Sequence, residues 1–208
     1  MQSHDALGEI NLRDIPSILP MLSQAEQETL LAELDHLEEL KKRDLLQERF
    51  MPFVEEVWPT FIAGRHHGRM ASAFEKVANG TCKRLIINMP PRHTKSEFAS
   101  YLLPAWFLGK YPHKKVIQTS HTAELAVGFG RKVRNLVDKD IYTKVFPGLG
   151  LQSDSKAAGR WNTSKGGDYF AIGVGGAVTG KGADLLIIDD PHSEQEAALA
   201  ETSPEIYD

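Results

Sequence analysis

The segment "RLIINMPPRHTKSEFASYLL", residues Arg84–Leu103, decides the fold of this chain. Its isoleucine-rich start, residues 84–88, predicts a short buried strand. Its second half predicts a helix from about Lys95, which Pro104 should kink or shorten. The loop between them contains no glycine and ends in Lys95 and Ser96. A strand, a lysine loop and a helix in this order predict a site for phosphate groups.

The end of this loop suits a nucleoside triphosphate. A lysine neutralises the outer phosphates, and the hydroxyl group that follows it binds Mg²⁺. We therefore predict ATP and Mg²⁺ as cofactors, with Ser96 as a metal ligand. Glycine normally permits the tight turn of such a loop. Because this loop has none, we expect Pro90 and Pro91 to fix its entry by restricting φ. The predicted nucleotide-binding residues are Pro91, Arg92, His93, Thr94, Lys95 and Ser96.

A second lysine loop, "GGAVTGKG" (Gly175–Gly182), fits the first seven positions of the glycine-rich Walker A pattern. Lys181 is followed by Gly182, which has no hydroxyl group, and the next predicted element is a strand. We therefore predict a turn or a flexible connection between strands here.

The segment "DLLIIDD" (Asp184–Asp190) predicts a buried strand that ends in two carboxylates. Such a pair supplies one ligand for Mg²⁺ and one acid that activates the attacking water. We assign Asp189 to the metal and Asp190 to the base, with Lys95 as a further catalytic residue. The alternative is an Asp-Pro turn that closes the strand.

Arg92 has two interpretations that the sequence leaves open. As a catalytic residue it would stabilise the charge on the γ-phosphate, in the manner of an arginine finger supplied by the same chain. In a structural role it would bind a carboxylate and hold the loop in shape.

The remaining elements predict an α/β fold. Residues 114–120 and 168–176 are predicted strands, and residues 67–79 and 122–138 are predicted helices. Strands alternating with helices predict a mostly parallel sheet that is covered on both faces. Ligands bind such sheets at the carboxyl ends of the strands, where both the first lysine loop and the two aspartates should lie.

The N-terminal part predicts a separate arm, residues 1–49, ahead of the main domain at residues 50–208. Residues 1–22 are expected to be irregular because they contain two prolines. Ser23 and Glu26 form a capping box that should start an amphipathic helix reaching about residue 50. Leu30, Leu34 and Leu37 share one face of this helix.

Composition restricts the class of protein. The 208 residues contain a single cysteine, no apolar run of the roughly 18 residues that span a bilayer, and no signal-peptide pattern, so we expect a cytoplasmic protein without a membrane partner. Residues 51–183 hold 19 basic and 9 acidic residues between two acidic ends. This suits a polyanionic partner, although solvated helix faces would give the same composition. Candidate DNA contacts are Lys114, Lys115, Arg131, Lys132 and Arg134.

Four stretches together resemble the large subunit of the tailed-phage terminase, the DNA-packaging motor: "RLIINMPPRHTKSEFAS", "FPGLGLQSDSKAAGRWNTSKGG", "GGAVTGKGADLLIIDDP" and "SEQEA". The resemblance covers about residues 50–208. It implies a P-loop NTPase of the ASCE, RecA-like type that drives double-stranded DNA into a procapsid in the host cytoplasm. The partners it implies are double-stranded DNA, the small terminase subunit and the portal protein, with a homo-oligomeric ring in the complete motor.

By this match Lys95 and Ser96 bind the phosphates and Mg²⁺, Arg92 is the loop arginine and Asp189 is the Walker B aspartate. Many relatives have glutamate where this chain has Asp190, and its shorter side chain reaches less far. Glu194 and Glu196 are the reserve candidates for the base. Adenine contacts are expected from residues 50–58.

The chain departs from the family by ending at residue 208. We expect a truncated domain without the coupling motif and the nuclease domain, hence no nuclease activity and weak or absent ATP turnover in isolation. Two alternatives remain. One is a helicase-like, nucleic-acid-dependent ATPase; the other is an inactive remnant that only binds partners, through its acidic N-terminal helix.

Overall fold

The computed structural model describes residues 15–193, and the chain divides into two compact units, residues 1–42 and 43–208. Helix α1 (Ile15–Ile18) is followed by a 3₁₀ turn (Leu19–Met21) and by α2 (Gln24–Glu48). The irregular backbone expected up to residue 22 is therefore wrong from residue 15 onward. Both prolines lie at the beginning of their turns, where a missing N–H leaves no helical hydrogen bond unmade. The assignment of residues 50–208 to an ATPase domain stays a prediction.

The predicted capping box at the start of α2 is confirmed. The backbone N–H of Ser23 donates to Glu26 Oε2 at 2.8 Å, and the N–H of Glu26 donates to Ser23 Oγ at 3.4 Å. Leu30 and Leu34 are half-buried, whereas Leu37 is 44% exposed, so the leucine face is only partly covered. Among residues 15–193, no helix combines the length and the apolar character needed to cross a membrane.

The second unit is an α/β fold built on a five-stranded mixed sheet. Its strands are β1 (Lys115–Ser120), β2 (Leu151–Lys156), β3 (Arg160–Thr163), β4 (Asp168–Gly173) and β5 (Leu185–Asp189). Their order across the sheet is β2-β3-β4-β1-β5. The core strand β1 pairs in parallel with β4 and β5, while β3 runs antiparallel to both β2 and β4. The strands expected within residues 114–120, 168–176 and 184–190 are confirmed.

The strand predicted at residues 84–88 is wrong. The structure assigns no strand to these residues, and Ile86 is 86% exposed. Ile87 and Met89 are partly buried against the core, so the alternating apolar pattern is used for packing. A strand also needs a neighbour for its N–H and C=O groups. Among the described strands, β5 pairs with β1 alone, and none pairs with residues 84–88.

The sequence interpretation missed β2 and β3, the antiparallel part of the sheet. A tight turn joins β3 to β4, with Gly166 at φ 87° and the N–H of Thr163 donating to Gly167 O at 2.9 Å. Trp161 of β3 is fully buried and stacks on Tyr169 of β4, with ring centroids 5.0 Å apart. Few residues of β2 and β3 are apolar, so the alternation of apolar and polar residues typical of a strand is hard to recognise in their sequence.

Helices flank the parallel core strands. Phe50, Phe98 and Trp106 join three of them in a cluster of edge-to-face rings. The expected cover on both faces of the sheet is incomplete at β5, where Leu186 and Ile188 are each 58% exposed. The helices are α3 (Phe50–Val57), α4 (Arg65–Ala78), a π-helix (Glu97–Leu102), α5 (Leu103–Lys110), α6 (Ala123–Val137) and α7 (Asp140–Val145).

Pro104 does not end the helix that follows the lysine loop. Helical backbone runs from Lys95 to Lys110, with the π-helical segment in between. Pro104 has no N–H to donate to the carbonyl of Ser100 four residues earlier, and its ring crowds that carbonyl. The wider turn accommodates this defect, as π-bulges do elsewhere.

Candidate functional site

The two predicted carboxylates lie at the carboxyl end of β5. Asp189 is the last residue of this strand and is only 6% exposed. Its Oδ2 accepts a hydrogen bond from Ser100 Oγ at 2.8 Å, so a residue of the π-helix fixes the position of the buried carboxylate. Asp190 is exposed and has a left-handed backbone, with φ 45°. One carboxylate is therefore fixed and buried, and the other is open to water.

Lys95 joins these carboxylates to the loop. Its Nζ lies 3.6 Å from Asp189 Oδ1 and forms an ion pair with Asp190 Oδ1. Partial burial alone would lower the pKa of Lys95, but the hydrogen bond to Asp190 and the charges of both aspartates together raise it. The ammonium group is therefore kept charged. Three predicted site residues come together here, although Lys95 and Asp190 are 95 positions apart.

The backbone of the loop explains how it turns without glycine. Arg92 and Thr94 have φ values of 62° and 61°, in the left-handed region that glycine normally occupies. For other residues this conformation costs roughly 1–2 kcal/mol each. The expectation that prolines alone shape the loop is therefore incomplete, since two side-chain-bearing residues take the conformation of glycine. Backbone strain of this kind persists where surrounding contacts hold it, and it is common at functional sites.

The other predicted loop residues differ in their contacts. Pro91 and His93 are exposed, and the ring Nδ1 of His93 lies 2.8 Å from Pro91 O. Ser96 lies in the first helical turn and is half-buried. Arg92 is exposed, and within residues 15–193 its guanidinium group has no carboxylate partner that would make it a structural clamp.

Two contacts of the site were missed by sequence reasoning. Ser100 holds Asp189, and His67 of α4 reaches the loop, with its Nε2 2.7 Å from Thr94 Oγ1. Ser100 lies one helical turn after Ser96, a spacing that could have signalled it. His67 offered no such signal, because it precedes Thr94 by 27 positions.

The glycine-rich loop lies elsewhere. The Nζ of Lys181 stands 3.7 Å from the centroid of the Phe170 ring. Lys181 also lines a cleft of about 190 Å³ together with Lys115 and Asp168, the first residues of β1 and β4. Since β1, β4 and β5 are parallel, this cleft is at the opposite end of the strands from Asp189. Lys181 therefore takes no part in the Lys95 site.

The candidate DNA contacts are largely committed to neighbours. Lys132 forms an ion pair with Glu97, and the guanidinium group of Arg134 donates a hydrogen bond to Asn135 Oδ1. Lys114 lies 4.6 Å from the centroid of the Tyr111 ring. Lys115 and Arg131 are exposed.

Phe50 and Phe53 are fully buried in the core, so these two aromatic rings are not placed to contact an adenine base. The reserve candidates Glu194 and Glu196 lie outside the described residues.

The residues at the site suit Mg²⁺ that arrives with a nucleotide. Mg²⁺ prefers oxygen ligands and commonly takes one or two from the protein, with phosphates and water completing its shell. Asp189 offers a carboxylate and Ser96 a hydroxyl group. Residues 15–193 contain no cluster of three or more His, Cys, Asp or Glu that could hold a metal by themselves.

Comparisons of the chain with protein-family models, with curated proteins and with solved structures each gave no match.

Proposed function

We propose that this chain is the ATP-binding part of a motor ATPase of the phage terminase large-subunit type. The observation that carries the proposal is the meeting of Lys95, Asp189 and Asp190 at the carboxyl end of β5, beside the start of a helix. Carboxyl ends of parallel strands and helix N-termini are the places where α/β proteins bind phosphate groups.

Each residue has a defined role in this proposal. Lys95 binds the outer phosphates, and the free N–H groups of the first helical turn add hydrogen bonds to them. Ser96 and the buried Asp189 supply oxygen ligands for Mg²⁺, which neutralises phosphate charge when it is bound. Ser100 keeps the Asp189 carboxylate in one orientation through its hydrogen bond of 2.8 Å.

Asp190 and Arg92 act on the exposed side of the site. The Asp190 carboxylate is open to solvent, so it can accept a proton from an attacking water once phosphates replace it as the partner of Lys95. Arg92 has no carboxylate partner within the described residues, which leaves its charge available for the γ-phosphate.

In the complete motor, ATP hydrolysis would drive double-stranded DNA into the procapsid in the host cytoplasm. The proposed partners are the small terminase subunit, the portal protein and further copies of the chain in a ring. The basic middle of the chain supports a polyanionic partner, with Lys115 and Arg131 among the exposed candidates named above.

One alternative has an observation in its favour. Residues 84–88 form no strand, and within residues 15–193 β5 pairs on one side only, with β1. A site supported by an incomplete sheet suits a module that binds partners without hydrolysing ATP.

Nucleotide titration tests the proposal. We expect Mg²⁺-dependent ATP binding by the wild-type chain and roughly 10- to 100-fold weaker binding by Lys95→Ala, because a hydrogen bond to a charged group contributes about 1.5–3 kcal/mol. Lys181→Ala is the matched control and should bind as the wild type does. Absence of Mg²⁺-dependent binding by the wild type would favour the binding module. A loss confined to Lys181→Ala would show that the wrong loop has been chosen.

A further inference from the structure

A buried histidine behind the loop has both of its ring nitrogens engaged. His67 is the third residue of α4 and is 5% exposed. Its ring packs against those of Phe61 and Phe98, with centroids 4.7 Å and 4.9 Å away. The N–H of Gly64 lies 2.8 Å from Nδ1, and Thr94 Oγ1 lies 2.7 Å from Nε2.

These contacts fix the protonation state of the ring. The N–H of Gly64 can only donate, so Nδ1 must carry a lone pair and the ring hydrogen lies on Nε2. Nε2–H then donates to Thr94 Oγ1, and the hydroxyl hydrogen of Thr94 goes to His93 O, 2.6 Å away. The chain of donors therefore runs in one direction, from the cap of α4 into the lysine loop.

The last donor in this chain is Thr94, whose backbone conformation needs support from its surroundings. Thr94 has φ 61°, and a β-branched side chain in this conformation is an outlier. Its carbonyl accepts the N–H of Phe98 at 3.0 Å, and Lys95 follows it directly. The conformation of Thr94 therefore sets where the helix starts and where the lysine side chain leaves the loop.

We propose that His67 is a positioning residue of the phosphate loop. As the neutral Nε2–H ring, His67 holds Thr94 in its left-handed conformation and so directs Lys95 toward the carboxylates of β5. This role rests on the proposed function of the loop. It assigns a part in nucleotide binding to a residue on a different helix that touches no phosphate.

The surroundings of His67 favour the neutral ring. Burial, and then the charges of His66 and His93, lower the pKa of His67. His66 precedes it on α4, with ring centroids 3.8 Å apart, and His93 belongs to the loop itself. The other two elements against the ring present Phe61 and Phe98, which carry no charge.

A set of variants tests the role by ATP titration in the presence of Mg²⁺. Glutamine can accept at one atom and donate at another, as this histidine does, whereas leucine can do neither. We expect roughly 10-fold weaker binding for His67→Leu and for Thr94→Val, and a change below about 3-fold for His67→Gln, since only the first two leave a buried hydrogen-bonding group unpaired. His36→Gln, on exposed α2, is the control and should bind normally.

The double variant His67→Leu, Thr94→Val should bind no worse than either single variant, because both remove the same interaction. Additive losses would overturn the inference, and so would normal binding by His67→Leu while Lys95→Ala fails to bind. If His67→Leu does not fold, Thr94→Val decides, because its side chain keeps nearly the same shape.

A nitrogen NMR spectrum of the imidazole rings separates this inference from the proposed function, because it needs no nucleotide. An Nδ1–H tautomer for His67 would overturn the inference whatever the titrations give. An Nε2–H tautomer in a protein that binds no ATP would support the hydrogen bond from His67 to Thr94 and contradict the proposed function alone.

Discussion

Two lysine loops of this chain have opposite compositions and lie at opposite ends of the parallel strands. The loop before Lys95 has no glycine, yet Arg92 and Thr94 have the left-handed backbone of glycine, and its lysine reaches two carboxylates. The loop around Lys181 is rich in glycine, but its lysine stands against Phe170. The proposed phosphate site therefore rests on the position of its loop relative to strand ends and a helix start, and not on glycine content.

The largest expected effect is a difference in Mg²⁺-dependent ATP binding between variants of Asp189, near Lys95, and of Asp168, which lines the cleft of Lys181. Asp189→Asn keeps an oxygen for Ser100 but loses the charge that suits Mg²⁺, so we expect the strengthening of ATP binding by Mg²⁺ to fall by at least roughly 10-fold. Titrations with and without Mg²⁺ measure this. Asp168→Asn, in the cleft of Lys181, is the matched control. An equal loss in both variants would contradict the division of roles.

A smaller effect should appear in stability, with opposite signs in the two loops. Arg92→Gly relieves a left-handed backbone and should raise the free energy of unfolding by up to about 1 kcal/mol. Gly180 has φ 78°, and among the described residues a methyl group there would meet open space. Gly180→Ala should therefore lower the free energy of unfolding by about 1 kcal/mol through backbone strain alone. Urea unfolding measures both. Shifts of the same sign would show that backbone strain does not distinguish the loops.

The smallest effect concerns pH and only the loop before Lys95. Because the pKa of His67 is lowered from 6.5 on folding, the unfolded chain binds its proton more readily. Its contribution to stability is therefore complete above about pH 6.5 and is lost as pH falls through the lower, folded value. Urea unfolding of the wild type and of His67→Gln between about pH 8 and pH 5 measures this.

We expect the difference in unfolding free energy between these two proteins to shift in favour of His67→Gln as pH falls. The glycine-rich loop contains no histidine, so Gly180→Ala should keep the pH dependence of the wild type. A pH dependence that is unchanged in His67→Gln would show that folding does not lower the pKa of His67.

Much of the fold could be predicted because local patterns specify it. The capping box of Ser23 and Glu26, the strands β1, β4 and β5, and the helix beginning at Lys95 follow from neighbouring residues. The strands β2 and β3 could not, because their largely polar sequence shows little apolar periodicity. Their place in the core depends on a tertiary contact, the stacking of Trp161 of β3 on Tyr169 of β4. The strand predicted at residues 84–88 failed for the opposite reason, since a short apolar run does not reveal whether a neighbouring strand exists to pair with it.

The sequence by itself determined the chemistry available to the site: a lysine followed by a hydroxyl group before a helix, and two aspartates at the end of an apolar strand. The tertiary structure decided the geometry. It brought Lys95 to Asp190 across 95 positions, Ser100 to Asp189 across 89 and His67 to Thr94 across 27. Local patterns indicate which conformation a segment favours. These contacts, and the left-handed backbone that they stabilise, depend instead on how separate segments pack.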